Sequence, residues 1–514
     1  MRKAILAGIV CLLNILLSVG QTTGETIDTI VADTVVKMPL EDFLPSLERF
    51  RLNANLDTVP FQTVKKRPWR AALEVTGINL LVHSIDRFVL REDYAKVYPR
   101  DMWRNLTHHM VWDNDNFATN LFAHPYHGSL YYASARTSGM NFFASVPFVL
   151  GGSLMWEELG ETEPPAINDL FATTFGGVAL GEVSYRLSDI ILNRSDRGLS
   201  RVLREVVAGV ICPMKTFNRL VTGEAWKVKP GGAYHDYNVI PVKIILKTGS
   251  RYLADEGALF RGEHNPFVGM AIEYGRPIDN VANKPYDYFT AEATFGLSAN
   301  QPLINSVHLL GRIWGAEAIE TPTMNVLFGI YQHFNFYNSK PVKDGTQETP
   351  YLISEAASIG PGLIYDFPAM GRFKKFEQSI FLDAIILGGS KSDFYNVIDR
   401  DYNMGSGFSI KSFTTLEFPK TVTFRFKTDY YRLFTWKGYE KKDLVALDPL
   451  FLNAQGDRGN AELLVMEPSM SVFLAKGWCA ELTASYFVRN TKYKYHDSVR
   501  TRTFELRFGV NCLF

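Results

Sequence analysis

Two hydrophobic periods divide the chain. Between Ala71 and about Asp236 apolar residues recur at helical spacing, as in Leu73, Leu80, Leu81 and Phe88. After Asp236 the period becomes two and holds to the last residue. Thr503 to Phe514 shows it best: Phe504, Leu506, Phe508, Val510, Cys512 and Phe514 point one way, while Thr503, Glu505, Arg507, Gly509 and Asn511 point the other. One face suits lipid and the other suits water. Thr421 to Asp429 and Asp287 to Ala299 repeat the pattern. A soluble sandwich would bury the same apolar face, so alternation alone does not decide between them.

The spacing of turns decides more. Twelve strands are predicted, at 239–252, 266–277, 285–299, 303–320, 323–338, 351–366, 374–390, 402–417, 420–437, 459–474, 477–493 and 499–514. Most run to roughly 12–18 residues, longer than globular strands and long enough to cross a bilayer at a tilt. Long connections at 253–265, 339–350, 391–401 and 438–458 follow odd strands, whereas Thr321-Pro322, Pro419 and Ala475-Lys476 mark tight turns after even ones. An even strand count with long loops on one side and short turns on the other predicts an outer-membrane β-barrel. The terminal Phe514 resembles the C-terminal signal of barrels inserted by the outer-membrane assembly machinery, which makes that machinery an expected partner during biogenesis. Parity puts Cys512 on the apolar face and Cys479 on the lumen face, so these two should not pair.

The fold class expected is therefore α+β: an N-terminal helical domain, 71–236, followed by a C-terminal antiparallel transmembrane barrel of about twelve strands, 237–514. Residues 1–20 carry a basic start at Arg2 and Lys3, an apolar run and the small-residue pattern Ser18-Val19-Gly20, which reads as a cleaved export signal. Residues 21–70, with prolines at 39, 45, 60 and 68, read as a linker. Lys plus Arg and Asp plus Glu number 54 each, so no net field favours nucleic acid. The 13% aromatic content suits membrane-interface girdles. Within the helical half, 139–156 and 170–192 are apolar and rich in small residues, as in Gly176-Gly177-Val178-Ala179-Leu180-Gly181, a composition that lets helices approach closely. Pro147 interrupts the first, and Glu182, Arg186 and Asp189 lie within the second, so a compact helical domain is expected rather than spanning helices. Its expected place is as a plug or periplasmic cap of the barrel.

Candidate chemistry gathers in this half. Asp113-Asn114-Asp115-Asn116 is followed by His124-Pro125-Tyr126-His127-Gly128, then Arg136, Trp156-Glu157-Glu158-Leu159-Gly160-Glu161, Asn168-Asp169 and Gly181-Glu182. His124, His127, Glu157, Glu161, Asp169 and Glu182 are the residue types of an acid–base pair or a metal site, and equally of a buried polar network. Pro125 places the two histidines at the start of a helix, and Glu157 and Glu161 would share a face if their helix continued past Gly160. Ser306 and His308 share one face of the fourth predicted strand, where ordinary lumen polarity explains them. The predicted lumen carries Lys243, Lys247, Glu273, Glu292, Arg425, Lys427, Asp429, Glu481, Glu505 and Arg507, and this mixture of signs predicts a salt-bridged filling rather than an ion-selective pore.

On its HPYHG, AR, WExxGE, IND and GGxxLGE elements, the stretch from Leu73 to Trp226 resembles a family of bacterial outer-membrane proteins known only as domain of unknown function 3943. The resemblance implies an outer-membrane location and no particular activity or cofactor. Three roles follow as expectations: passage or envelope maintenance by a barrel with a helical plug, an enzyme acting on lipid or envelope polymer through the His/Glu/Asp cluster, or a structural assembly partner. Outer-membrane lipid and a small-molecule or lipid ligand are the expected contacts.

Overall fold

A computed structural model describes residues 65–112, 115–193, 196–228, 241–278, 284–343, 345–346, 348–368, 373–394, 401–419, 422–439, 456–475 and 477–513. The export signal at 1–20, almost all of the linker, Asp113, Asn114, Asp236, Phe514 and most of the loop 438–458 lie outside these residues.

Twelve antiparallel strands close into one barrel. They are β1 (Val242–Asp255), β2 (Glu263–Tyr274), β3 (Phe289–Gly296), β4 (Ile304–Glu320), β5 (Asn325–Asn338), β6 (Leu352–Pro368), β7 (Lys375–Lys391), β8 (Tyr402–Glu417), β9 (Val422–Thr435), β10 (Gly459–Ala475), β11 (Trp478–Tyr493) and β12 (Val499–Leu513). Each pairs with its sequence neighbours, and β1 pairs with β12 to remove the last edge. Closure satisfies every ladder inside the sheet, which a chain in lipid requires.

Alternation sorts the side chains as the sequence pattern predicts. Phe508 and Leu382 point outward and are 59% and 52% exposed, whereas Thr503, Glu505, Asp383 and Lys411 point inward and are buried. The inward charges meet across the lumen. Lys247 Nζ lies 2.9 Å from Glu292 and 3.3 Å from Glu481, and Lys411 Nζ lies 2.9 Å from Glu355 and 2.8 Å from Asp383. Tyr337 donates to Asp429 at 3.0 Å, and Tyr351 to Glu505 at 3.0 Å. Glu292, His308, Lys427, Glu505 and Arg507 line a cavity of about 20 Å³ among these side chains, room for about one water. The mixed-sign filling expected of this lumen is what forms. Ser306 and His308 face inward with it, His308 Nδ1 lying 2.8 Å from Asn335 Oδ1. Cys212, Cys479 and Cys512 are free thiols.

Ahead of the barrel come α1 (Pro68–Ser84), a π-helical turn Ile85–Leu90, α2 (Pro99–Thr107), a second π turn Thr119–Ala123, α3 (His124–Thr137), α4 (Phe142–Leu159), α5 (Ile167–Phe171), a third π turn Ala172–Gly176, α6 (Gly177–Ile191), α7 (Gly198–Ile211) and α8 (Pro213–Val221). Proline in the first turn of α1, α2 and α8 supplies a fixed φ where a backbone N–H has no helical partner anyway, whereas Pro125 lies inside a helix that runs on from the π turn Thr119–Ala123, so the expected helix start at His124 and His127 is corrected. Asn141 caps α4 by accepting from Ala144 N at 2.8 Å. The small residues let α3 and α6 touch backbone to backbone: a Cβ added at Gly177 would stand 2.6 Å from Gly128 Cα.

These helices do not plug the lumen. They pack on the outside of the barrel. On β5, His333, Asn335 and Tyr337 face inward, so Gln332, Phe334 and Phe336 face outward. Phe117 stacks on Phe336 with ring centroids 5.2 Å apart, and Phe122 meets the same ring at 5.6 Å. Gln332 Nε2 donates to Phe175 O at 2.9 Å, and Asn120 Nδ2 donates to the Tyr402 hydroxyl at 2.6 Å. Outward Phe334 is 0% exposed as a result, at a position that would otherwise face lipid like Leu382. One continuous apolar core joins Tyr131, Tyr132, Phe142 and Val178 of the helices to Ile272, Phe289, Leu309 and Phe334 of the outer wall. The covered band starts at Tyr274 and Phe289, on the rim that carries the tight turns, and ends at Gly389 and Tyr402 on the opposite rim. The expectation of a plug or periplasmic cap is corrected accordingly: the described helices lie against the outer wall, and charged pairs face the lumen.

Candidate functional site

The six candidate residues separate into three places. His124, the first residue of α3, comes together with Glu157 near the end of α4 and Asp169 in α5. One ligand atom from each lies within 4.8 Å of the others. His124 Nε2 stands 3.6 Å from Asp169 Oδ1 and 3.7 Å from Asp115 Oδ2. Glu157 and Asp169 are buried, whereas the Asp115 side chain is half exposed and marks the open side.

Local structure explains the convergence. The strand-like bridge between Val111 and Ala166 ties the segment before Asp115 to the segment before Asp169, with Val111 N donating to Pro165 O at 2.8 Å and Ile167 N to Val111 O at 3.0 Å. Glu157 Oε2 accepts from Ala166 N at 2.8 Å, which fixes the α5 start against α4. Asn168 Nδ2 donates to Asp169 Oδ1 at 2.8 Å and sets that carboxylate's orientation. The cluster can act as an acid–base pair, as ligands for a cation, or as a polar anchor between helices.

His127 lies one turn on, with its ring 4.7 Å from Tyr131 and 5.3 Å from Trp156, edge to face. Burial, reinforced by His124, pushes its imidazole down to about 3, so it is neutral at physiological pH. Glu161 does not join the cluster, because α4 ends at Leu159 and Gly160 turns the chain; its carboxylate instead accepts from Trp156 Nε1. Glu182 is elsewhere again, clamped by two arginines. Arg136 Nε and Arg186 Nε each approach one of its oxygens at 2.7 Å, and Tyr132 donates to it at 3.0 Å. Burial alone would raise this carboxyl, but Arg136 and Arg186 hold it down at about 2. Arg186 also donates to Pro285 O at 2.7 Å, so the clamp holds the helices to the β2–β3 connection. Asp189 pairs with Lys215, whose ammonium sits 3.9 Å from the centroid of Tyr185. Asp115 belongs at the cluster although it was not among the six candidates; nine positions before His124, it carried no periodic signal.

Residues 109–214 match the family described as Domain of unknown function (DUF3943). The domain thus spans His124, Glu157, Asp169 and the Glu182 clamp. No curated protein matches the chain. Among solved structures, it is similar to a NanC porin at 11% identity, covering 52% of this chain and 98% of that one with a TM-score of 0.25. It is also similar to OmpT, an outer membrane protein of Vibrio cholerae, at 8% identity, 54% and 99% coverage and a TM-score of 0.23. A third is the outer membrane channel DcaP of Acinetobacter baumannii, at 9% identity, 54% and 97% coverage and a TM-score of 0.23. Scores this low carry no argument, and the barrel described above rests on its own strand pairing.

Proposed function

We infer that the protein is a bacterial outer-membrane protein whose barrel serves as a scaffold and whose DUF3943 layer works at the lipid-facing wall in envelope maintenance. The observation that carries this reading is the rim-to-rim covering of outward positions such as Phe334 by helices. A layer in that place lies at bilayer depth, and its own outer side is apolar. Leu73 is 64%, Phe88 71% and Trp103 70% exposed, and Leu199, Val202, Val206 and Val210 form an exposed stripe along α7. So much exposed apolar surface suits contact with acyl chains. No described helix is long and apolar enough to cross a membrane, which fits helices that lie against a barrel wall. A lipid or lipid-linked polymer is the ligand class this surface favours, and the His124–Glu157–Asp169 cluster is the group available to act on it.

The polar lumen favours passage as a second reading, in which the Lys411–Glu355–Asp383 network opens. Two measurements separate the readings. In vesicles holding a diazirine-bearing phospholipid, the full chain should be labelled on α1, Phe88 and α7 as well as on β7 and β9. It should give no steady conductance in planar bilayers. Labelling confined to strands would sink the first reading, and stable open currents would select the second.

A further inference from the structure

We propose that His124, Glu157 and Asp169 bind one divalent first-row transition cation, with Asp115 at the open side of the site. The proposal goes beyond the lipid-facing reading and stands on separate observations. The first is the donor set. One imidazole nitrogen and two carboxylates, from three different helices, present ligand atoms within 4.8 Å of one another. Nitrogen and oxygen donors of this kind suit zinc and its neighbours better than calcium, which takes an all-oxygen shell of six or more.

The second observation is the spacing. A charged hydrogen bond from an imidazolium to a carboxylate closes to about 2.7–2.9 Å. His124 Nε2 instead stands 3.6 Å from Asp169 Oδ1 and 3.7 Å from Asp115 Oδ2. Two ligands on one tetrahedral zinc, with bonds of about 2.0–2.2 Å, are held roughly 3.4 Å apart. The imidazole nitrogen and the Asp169 and Asp115 oxygens thus keep the separation of atoms that share an ion, with a Glu157 oxygen within 4.8 Å of His124 and Asp169.

The third is the supporting shell. Glu157 accepts from Ala166 N and Asp169 from Asn168 Nδ2, so both carboxylates are aimed before any ion arrives. Three protein ligands and a half-exposed fourth group describe a site that retains an open coordination position, the arrangement that presents a water or substrate oxygen to the ion.

The test uses the full chain purified in detergent, with Zn²⁺ and Co²⁺ as probes. After dialysis against trace Zn²⁺, elemental analysis should find about one ion per chain. Co²⁺ should give visible d–d absorption that Zn²⁺ abolishes. His124→Ala and Asp169→Asn should each lower the stoichiometry at least tenfold, and Glu157→Gln, which keeps its shape, should do the same. Glu161→Gln should retain the ion, because that carboxylate lies outside the cluster. Heat-modifiable migration on gels reports whether each variant still holds its barrel. Folded wild-type protein without stoichiometric metal or a cobalt spectrum would overturn the proposal, as would equal binding by the Glu157→Gln variant. Either result leaves the lipid-labelling outcome untouched.

Discussion

Replacing Lys411 by methionine should destabilise the barrel by about 3–5 kcal/mol, because it leaves two buried carboxylates without the ammonium that joins them. Lys411, Glu355 and Asp383 are all buried, and the same lysine receives support from Ser409 at 2.6 Å. His333 Nδ1 stands 3.0 Å from Asp383, so one end of the network keeps a polar neighbour. Guanidinium unfolding in detergent micelles should show the loss as a lower midpoint. Adding Glu355→Gln to Lys411→Met should recover part of it, since the second change removes a stranded charge. A Lys411→Met variant as stable as the parent would mean that water, not the lysine, satisfies these carboxylates.

Glu182→Gln should release the helical layer while leaving the strands intact. The variant leaves Arg136 and Arg186 buried around an uncharged amide, with an expected cost of about 3–5 kcal/mol. The loss should fall on the layer, because the clamp joins α3 and α6 to the β2–β3 connection and not to the lumen. Protease nicking within 71–228 at temperatures where the barrel still migrates as folded is the expected result. The pH dependence has a definite sign. A carboxyl held near 2 in the folded chain, against 4.5 when unperturbed, contributes its full stability above about 4.5 and loses it as the pH falls toward 2. The parent's acid-induced loss of the layer should therefore be blunted in the Gln variant. An unchanged acid limb would contradict the assignment.

The barrel was legible because alternation is a local property of each strand. The expected limits of β8 coincide with those observed, and most others agree within two or three residues. β3 is the exception, observed at Phe289–Gly296 against an expected 285–299. Tyr286 leaves the ladder with φ at 62°, and its ring packs 5.5 Å from Phe142 of the helical layer. Sequence alternation around 285–288 could not register that contact.

The place of the helices was not legible for a related reason. An outward Phe334 looks the same in sequence whether lipid or a helix covers it. The polar outward residue Gln332, bonded to Phe175 O, was the one hint of a protein neighbour on that wall. At the site, residue types identified the His124–Glu157–Asp169 group, while helix geometry separated Glu161 and Glu182 from it. Gly160 turned the chain before Glu161, and of the two arginines around Glu182 only Arg186, four residues on, was near it in sequence.

The central claim is that the helical layer covers the outer wall of the barrel. In a background lacking the native cysteines, single cysteines at Phe334 and Leu382 both point outward, but only Leu382 is uncovered, at 52% against 0%. With the protein in vesicles, a membrane-soluble maleimide should label the Leu382→Cys variant and spare Phe334→Cys until residues 71–228 are removed. Equal labelling of both positions in the full chain would place the helices elsewhere and contradict the account.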